Sequence, residues 1–245
     1  DRAGVRKGER FALNTLRVKG RTVKFLQVIP MLCALLFGAQ ASAREIHVAT
    51  HGKDTNSGTA AAPYRTIGKA AAEAQPGDVV VVAEGTYREQ VQPARGGTSE
   101  SQRIVYRAAD GDEVTIKGSE QITSWVDQGG GVWMVELSND FFGSFNPYAR
   151  NVSGGWLNYG GWHHLGDVYL DHEAFRERQS LSAVQTTGQT WYSEVTSGTT
   201  KIWANFGGAD PNTRLAEINV REAVFYPAVA GLGYITVDGF TIMHA

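Results

Sequence analysis

The stretch Gly58–Glu89, GTAAAPYRTIGKAAAEAQPGDVVVVAEGTYRE, limits most sharply what this chain can fold into. Thr66 can cap a helix whose Ile67, Ala70, Ala71 and Ala74 recur at i, i+3, i+4 and i+7, a narrow alanine-rich stripe able to lie close on a flat surface. Pro76-Gly77 stops that helix. Val79–Ala83 then runs without alternation, as a strand covered on both faces does, and Glu84–Tyr87 turns the chain. No second helix of this quality follows. One helix ahead of a long strand-rich tail suggests a lid on the end of a stack of sheet.

Glu45–Thr50 alternates and reads as a short strand, and His51–Thr59 is turn chemistry with two glycines, Asp, Asn and Ser. Within it Asp54-x-Asn56-x-Gly58 faintly resembles a calcium loop, but the glutamate of an EF-hand is missing, so a plain turn and no cofactor are expected. Further strands are read at Arg103–Arg107, Val114–Lys117 and Ile122–Trp125, with Gly, Asp and Ser turns between them. Their short, regular spacing suits the coils of a solenoid and equally a two-sheet sandwich. With 29 Gly and only 7 Pro among 245 residues, the turns belong to an all-β chain and not to a disordered one.

The order Gly58-Thr59, Pro63-Tyr64-Arg65-Thr66-Ile67, Ala70-Ala71, Ala74, Pro76-Gly77-Asp78, Val80, Val82, Gly85-Thr86-Tyr87-Arg88-Glu89 resembles the N-terminal cap and first coil of secreted right-handed parallel β-helix proteins, the pectate-lyase-like superfamily of polysaccharide lyases and glycoside hydrolases. The match covers residues 45–118. It implies an all-β, right-handed parallel β-helix with one N-terminal capping helix, and scaffold rather than catalytic groups in these first coils. The helix lid and the unalternating Val run favour the same solenoid over a sandwich.

Residues 127–222 break the rhythm and read as an inserted irregular, antiparallel β subdomain beside the solenoid. Trp133–Leu137 is a strand, and Asn139–Leu165 is irregular and aromatic-rich. Asp167–Leu170 leads through Asp171-His172-Glu173 into Ala174-Phe175, and Thr190–Val195 leads through Thr196–Thr199 into Lys201–Asn205; both pairs look like hairpins. Ala216–Arg221 follows. Tyr234–Ile242 alternates around Asp238-Gly239 and resembles a β-helix coil turning a corner, and the chain stops three residues later with no closing coil. Domains are therefore expected at 44–126 (cap and first coils), 127–222 (insertion) and 223–245 (the start of further coils), in a polypeptide truncated at its C-terminus.

Chemistry is less legible. Glycoside hydrolysis needs two facing carboxyl groups, and none is placed as a pair; Asp238 is the most suggestive acid, with a turn residue before Gly239 as the plainer reading. A lyase needs a base and a cation for a uronate carboxylate; Arg103, Arg107 and Lys117 are expected to face solvent instead. His163-His164 is an adjacent pair, which on a strand points to opposite faces, so packing or hydrogen bonding is expected rather than metal binding. Trp156, Tyr159, Trp162 and His163 are the substrate-binding candidates, because exposed aromatic rings stack on sugars; the alternative is that they form the insertion's own core. In the β-helix family a similar aromatic segment, leading to a hairpin like Gly166-Asp167-Val168-Tyr169-Leu170, precedes the catalytic coils.

Val28–Phe37 is a ten-residue apolar run preceded by Arg17, Lys19, Arg21 and Lys24 and followed by Ala41-Ser42-Ala43. A basic region, a short apolar core and a small-residue site make a secretory signal at 23–43, since a bilayer span needs about 20 apolar residues. Residues 1–22 then read as translated upstream sequence. Cys33, the one cysteine, lies inside the signal. Residues 44–245 hold 15 Lys+Arg against 23 Asp+Glu, which disfavours nucleic acid or an anionic membrane as partner. The expectation is a secreted or periplasmic protein acting on a polysaccharide or oligosaccharide, with a glycoside hydrolase ahead of a polysaccharide lyase. A non-catalytic surface or carbohydrate-binding β-helix is the rival from another class. The catalytic residues are not identified and are expected beyond Ala245.

Overall fold

The computed structural model describes residues 43–154 and 161–245. The upstream segment and all of the signal segment but Ala43 lie outside the described residues, as do Trp156 and Tyr159. Among the described residues no helix is long and apolar enough to cross a membrane.

Strand β1 (Glu45–Val48) leads through the turn to helix α1 (Ile67–Glu73). The Thr66 hydroxyl accepts from the Lys69 N–H at 3.1 Å, and the Glu89 carboxylate accepts from the Ile67 and Gly68 N–H groups at 2.8 and 2.7 Å. Donors that a helix start leaves open are thus satisfied. Ile67, Ala70 and Ala71 are buried in the first hydrophobic core. Strands β2 (Val79–Val82), β3 (Gly85–Arg88), β4 (Ile104–Ala108), β5 (Val114–Lys117) and β6 (Ser119–Gln121) follow. β1, β2 and β4 pair in parallel, and so do β3 and β5. Val80, Val82, Ile104, Tyr106 and Ile116 fill the space between the two sheets.

From residue 119 onward the chain mostly doubles back. Strands β7 (Val126–Gly129), β8 (Val132–Ser138), β9 (Val168–Leu170), β10 (Glu173–Ala174) and β11 (Arg176–Glu177) precede a second short helix, α2 (Leu181–Gln185). Then come β12 (Thr190–Val195), β13 (Thr199–Asn205) and β14 (Ala216–Asn219). They form a five-stranded sheet in the order β11-β12-β13-β8-β7 and, with β6, a four-stranded one in the order β10-β9-β14-β6. Between them lies a second core rich in aromatic rings packed edge to face, with Tyr148 and Trp191 5.5 Å apart and Trp125 and Phe206 5.0 Å apart. Finally β15 (Ile235–Asp238) pairs with β4 and β16 (Phe240–Met243) with β5, both in parallel. Gly239, at φ 73°, makes the corner between them, a backbone region open chiefly to glycine.

The expected right-handed parallel β-helix is therefore corrected. The described strands fall into several small separate sheets, and nine of the sixteen belong to the two sheets built mainly on antiparallel pairs. The physical reason lies in the connections. Tight turns with left-handed backbone, at Gly129–Gly131 and at Asp171-His172, pair neighbouring strands antiparallel, and the strands from β6 to β14 close into sheets of their own instead of adding to the parallel ones. Two smaller readings also change. Ile122–Trp125 is not a strand: its Ile122 and Trp125 side chains anchor an extended connection in the second core. Lys117, expected in solvent, is 2% exposed.

Candidate functional site

A polar seam runs where the parallel strands meet the antiparallel region, and Glu217 is its centre. Its side chain, on β14, is fully buried. The Lys117 ammonium donates to both carboxylate oxygens at 3.0 and 2.8 Å, Arg88 Nη1 donates at 2.6 Å and the Ser119 hydroxyl at 3.1 Å. Burial alone would raise this carboxyl; the hydrogen bonds and charges of Lys117 and Arg88 outweigh it and hold the group below the ordinary glutamate range.

Two imidazoles close over the pair. His172 Nδ1 lies 3.2 Å from Lys117 Nζ, so it accepts from the ammonium. Its backbone and that of Asp171 are left-handed, at φ 77° and 49°, an uncommon conformation for residues other than glycine. His244 Nδ1 sits 3.5 Å from Glu217 and 3.2 Å from Ser119 Oγ, and its ring stacks on Tyr169 at 3.8 Å. Burial pushes the His244 imidazole below its usual range. Gly118 lets the chain end approach: a Cβ there would stand 2.5 Å from the His244 carbonyl oxygen.

The ligand atoms of His172, Glu217 and His244 lie within 4.8 Å of one another, the spacing a metal would need. Lys117 Nζ, however, lies within hydrogen-bonding distance of both Glu217 oxygens and of His172. An ammonium thus holds the place of the cation. The Asp54 carboxylate of the candidate calcium turn is engaged locally, accepting from the Arg65 and Thr66 N–H groups and from the Thr66 hydroxyl, each at 2.9 Å.

The seam continues through Tyr169, whose hydroxyl donates to Asp167 Oδ2 at 3.2 Å. Burial pushes the Asp167 carboxyl up to about 6, with the Tyr169 hydrogen bond opposing and the nearby Glu177 charge adding to the rise. Glu177 in turn collects both neighbouring histidines. His164 Nδ1 is 2.5 Å and His163 Nδ1 3.3 Å from its carboxylate, which also accepts the His164 N–H at 2.8 Å. The irregular backbone at 161–165 lets adjacent side chains converge where a strand would part them. Of the four substrate-binding candidates, Trp162 and His163 are described: they stack on one another at 3.7 Å, half-exposed, beside Glu177. Asp238 is an exposed strand-end residue before the Gly239 corner, and Arg107 pairs with Asp110. Arg103 bonds to Thr236 and to the Ile235 carbonyl, holding β4 to β15.

The Glu217 cluster was missed by sequence reading. Its members are up to 156 positions apart, from Arg88 to His244, and no local pattern joins them. The one available signal was the placement of charges within apolar strands, Lys117 after VTI and Glu217 before INV.

Two of the comparisons with known proteins point to carbohydrate-active relatives. Residues 122–189 and 183–218 match the model of the glycoside hydrolase 120 insertion domain, and residues 50–94 match a family of unknown function, DUF1565. A solved structure described as the complex of XylC with xylose is 44% identical, with a TM-score of 0.79 over 82% of this chain. A second, described as a glycoside hydrolase, is 15% identical with a TM-score of 0.51 over 83% of this chain, a likeness of fold alone. The uncharacterized protein YwoF of Bacillus subtilis (strain 168) is 33% identical over 79 residues, 32% of this chain. The chain spans 35% of the XylC chain, 51% of the second structure and 17% of YwoF. These matches support the carbohydrate-active half of the resemblance and leave its pectate-lyase-like half without support.

Proposed function

We propose that this chain is part of an exported glycoside hydrolase whose substrate is a xylose-containing saccharide. The observation that carries the reading is the 44% identity to XylC, a protein captured with xylose. The match of residues 122–218 to an insertion domain of a glycoside hydrolase family supports it independently. Export fits the basic and apolar segment at 23–43.

Under this reading residues 127–222 form an accessory unit inserted between strands of the parallel sheets, and its aromatic segment borders the sugar. Trp162 and His163 offer a stacked half-exposed face, with Trp156 and Tyr159 in the adjoining sequence. Glu177 fixes His163 and His164 from behind. Glu217 is not one of the two reacting carboxyls, because it is buried and held by Lys117 and Arg88; its work is to join the two regions. The reaction requires a carboxyl pair about 5 Å apart for retention, or about 6.5–9.5 Å for inversion.

The test is direct. The protein expressed from its complete reading frame is incubated with xylobiose and with aryl glycosides of several sugars, and released monosaccharide is measured. Xylose release is the expected result. A folded protein that frees no sugar from any of them overturns the reading.

A further inference from the structure

The outward face of the five-stranded sheet carries a row of side chains that its core does not use. Along β12, β13 and β8 alternate residues turn inward: Trp191, Ala204 and Trp133 lie side by side across the strands, as do Ser193, Ile202 and Val135. The residues between them face away. The register sets Tyr192 opposite Trp203, Trp203 opposite Met134, and Met134 opposite Val126. Four apolar or aromatic side chains therefore form one line across four strands, about 14 Å long at the usual strand spacing. The Tyr192 and Trp203 rings are 6.0 Å apart and inclined by only 30°, and Val126 is 56% exposed.

The line is bounded on both sides. Toward one end of the strands, the row Thr190, Asn205 and Val132 is buried, and the segment around α2 covers its first two members: Thr190 donates to the Thr187 carbonyl at 2.6 Å and Asn205 to the Val184 carbonyl at 2.8 Å. Toward the other end runs the row Glu194, Lys201 and Glu136, with Lys201 3.6 Å from Glu136 and the Tyr192 hydroxyl donating to Glu194 at 3.3 Å. The result is a shallow trough with an aromatic floor, a helix for one wall and a polar rim for the other. The solvated face of an antiparallel sheet is ordinarily polar, as the Glu194 row is, so an aligned apolar row beside it calls for a ligand.

We propose that this trough binds a neutral, linear polysaccharide. Pyranose rings lie on the Trp203 and Tyr192 faces, as rings with C–H-rich surfaces do on aromatic side chains, and hydroxyls bond to Glu194, Lys201 and Glu136. Charge selects the ligand class. The rim has two carboxylates to one ammonium, and residues 44–245 carry an excess of acid, so a polyuronate or a nucleic acid is repelled while an uncharged polyol is not. The choice of xylan as the probe rests on the glycoside-hydrolase reading; the trough itself does not.

Affinity electrophoresis tests it, with soluble xylan or polygalacturonate in the gel. The protein is expected to be retarded by xylan and not by polygalacturonate. The double variant Trp203→Ala/Tyr192→Ala is expected to lose affinity about tenfold or more, the scale of losing an aromatic anchor, whereas Trp203→Phe keeps a ring and most of the retardation. Circular dichroism confirms that each variant is folded, and the Phe variant carries the test if the double variant is not. Equal retardation of the double variant and the parent, no retardation of the parent by xylan, or equal retardation by polygalacturonate overturns the proposal. Xylose release measured on the same preparations separates the two readings. A protein that holds xylan but cleaves nothing sinks the hydrolase and leaves the trough. One that cleaves but is not retarded does the reverse.

Discussion

The parallel sheets and the antiparallel region bury their cores by different means. In the parallel part, equivalent buried positions stack in register: Ile46 beside Val80 beside Tyr106 on one sheet, Tyr87 beside Ile116 on the other. The fill is mostly Val, Ile and Ala, and α1 lies over β1 and β2. In the antiparallel part no row repeats. Large rings from distant segments meet edge to face, Tyr148 on Trp191 and Trp125 on Phe206. A core of repeated small units is tolerant and modular, because each layer resembles the next; a core of unique rings is specific and intolerant. What the two regions share is the Glu217 seam, and it is where the pair can be separated most sharply.

The largest effect is expected at Glu217. Glu217→Gln leaves the Lys117 ammonium and the Arg88 guanidinium facing each other without a counter-charge, a change that costs about 3–5 kcal/mol when one partner of a buried ion pair is removed. Denaturant unfolding followed by tryptophan fluorescence should show that loss; a loss below about 1 kcal/mol would mean that water already screens the seam. The pH dependence has a definite sign. Glu217 is held below its ordinary 4.5 and His244 below its ordinary 6.5. Stability from the carboxylate is full above its unfolded value and is lost as pH falls. Neutral His244 behaves likewise, since protonating it is harder in the fold than out of it. The seam therefore weakens from about pH 6.5 downward, and Lys117→Met/Glu217→Leu should remove most of the carboxylate's share of that slope.

The contrast between the regions also explains what was readable beforehand. Gly58–Glu89 declared its cap, helix and buried Val strand because each signal is local: a hydroxyl before an apolar stripe, Pro-Gly after it, and aliphatics without alternation. The hairpins at Asp167–Phe175 and Thr190–Asn205 were legible from turn residues between short apolar runs, and the structure pairs β9 with β10 and β12 with β13. The overall architecture was not, because local strand patterns do not say which distant strands pair or how the strands divide among separate sheets. Glu217 was hidden for a related reason. In Ala216-Glu217-Ile218-Asn219 alternation places Glu217 on a solvent face, but that face meets the parallel strands, so all four residues are buried. Lys117 after Val114-Thr115-Ile116 misleads in the same way. The short helix α2, five residues long, had too little sequence to show a period.

A second, smaller effect distinguishes the antiparallel region by slope alone. Burial pushes Asp167 up from 3.8 to about 6, so the fold prefers its protonated form. The associated stability is full below the unfolded value and lost as pH rises through 6, the opposite direction to the seam. Asp167→Asn keeps a polar group for the Tyr169 hydroxyl without a charge to bury. It should stabilise the protein by up to about 3 kcal/mol above pH 6 and have little effect near pH 3.5. A variant that is destabilised equally at both pH values would show that Asp167 matters for its shape and not for its charge.

The smallest effect tests whether the parallel part answers independently. Thr66 accepts the Lys69 N–H and donates to Asp54, which itself receives the Arg65 and Thr66 N–H groups. Thr66→Ala removes both side-chain bonds at the start of α1 and should cost about 1 kcal/mol, the usual scale of a lost helix cap. Thr66→Ser retains the hydroxyl and should cost only a few tenths. The near-ultraviolet circular dichroism of the aromatic core should be unchanged in both, because the buried face of α1 belongs to the other core. If Thr66→Ala instead alters the aromatic signal, the lid and the ring-packed core form one cooperative unit, coupled where Arg88 and Lys117 of the parallel strands hold Glu217.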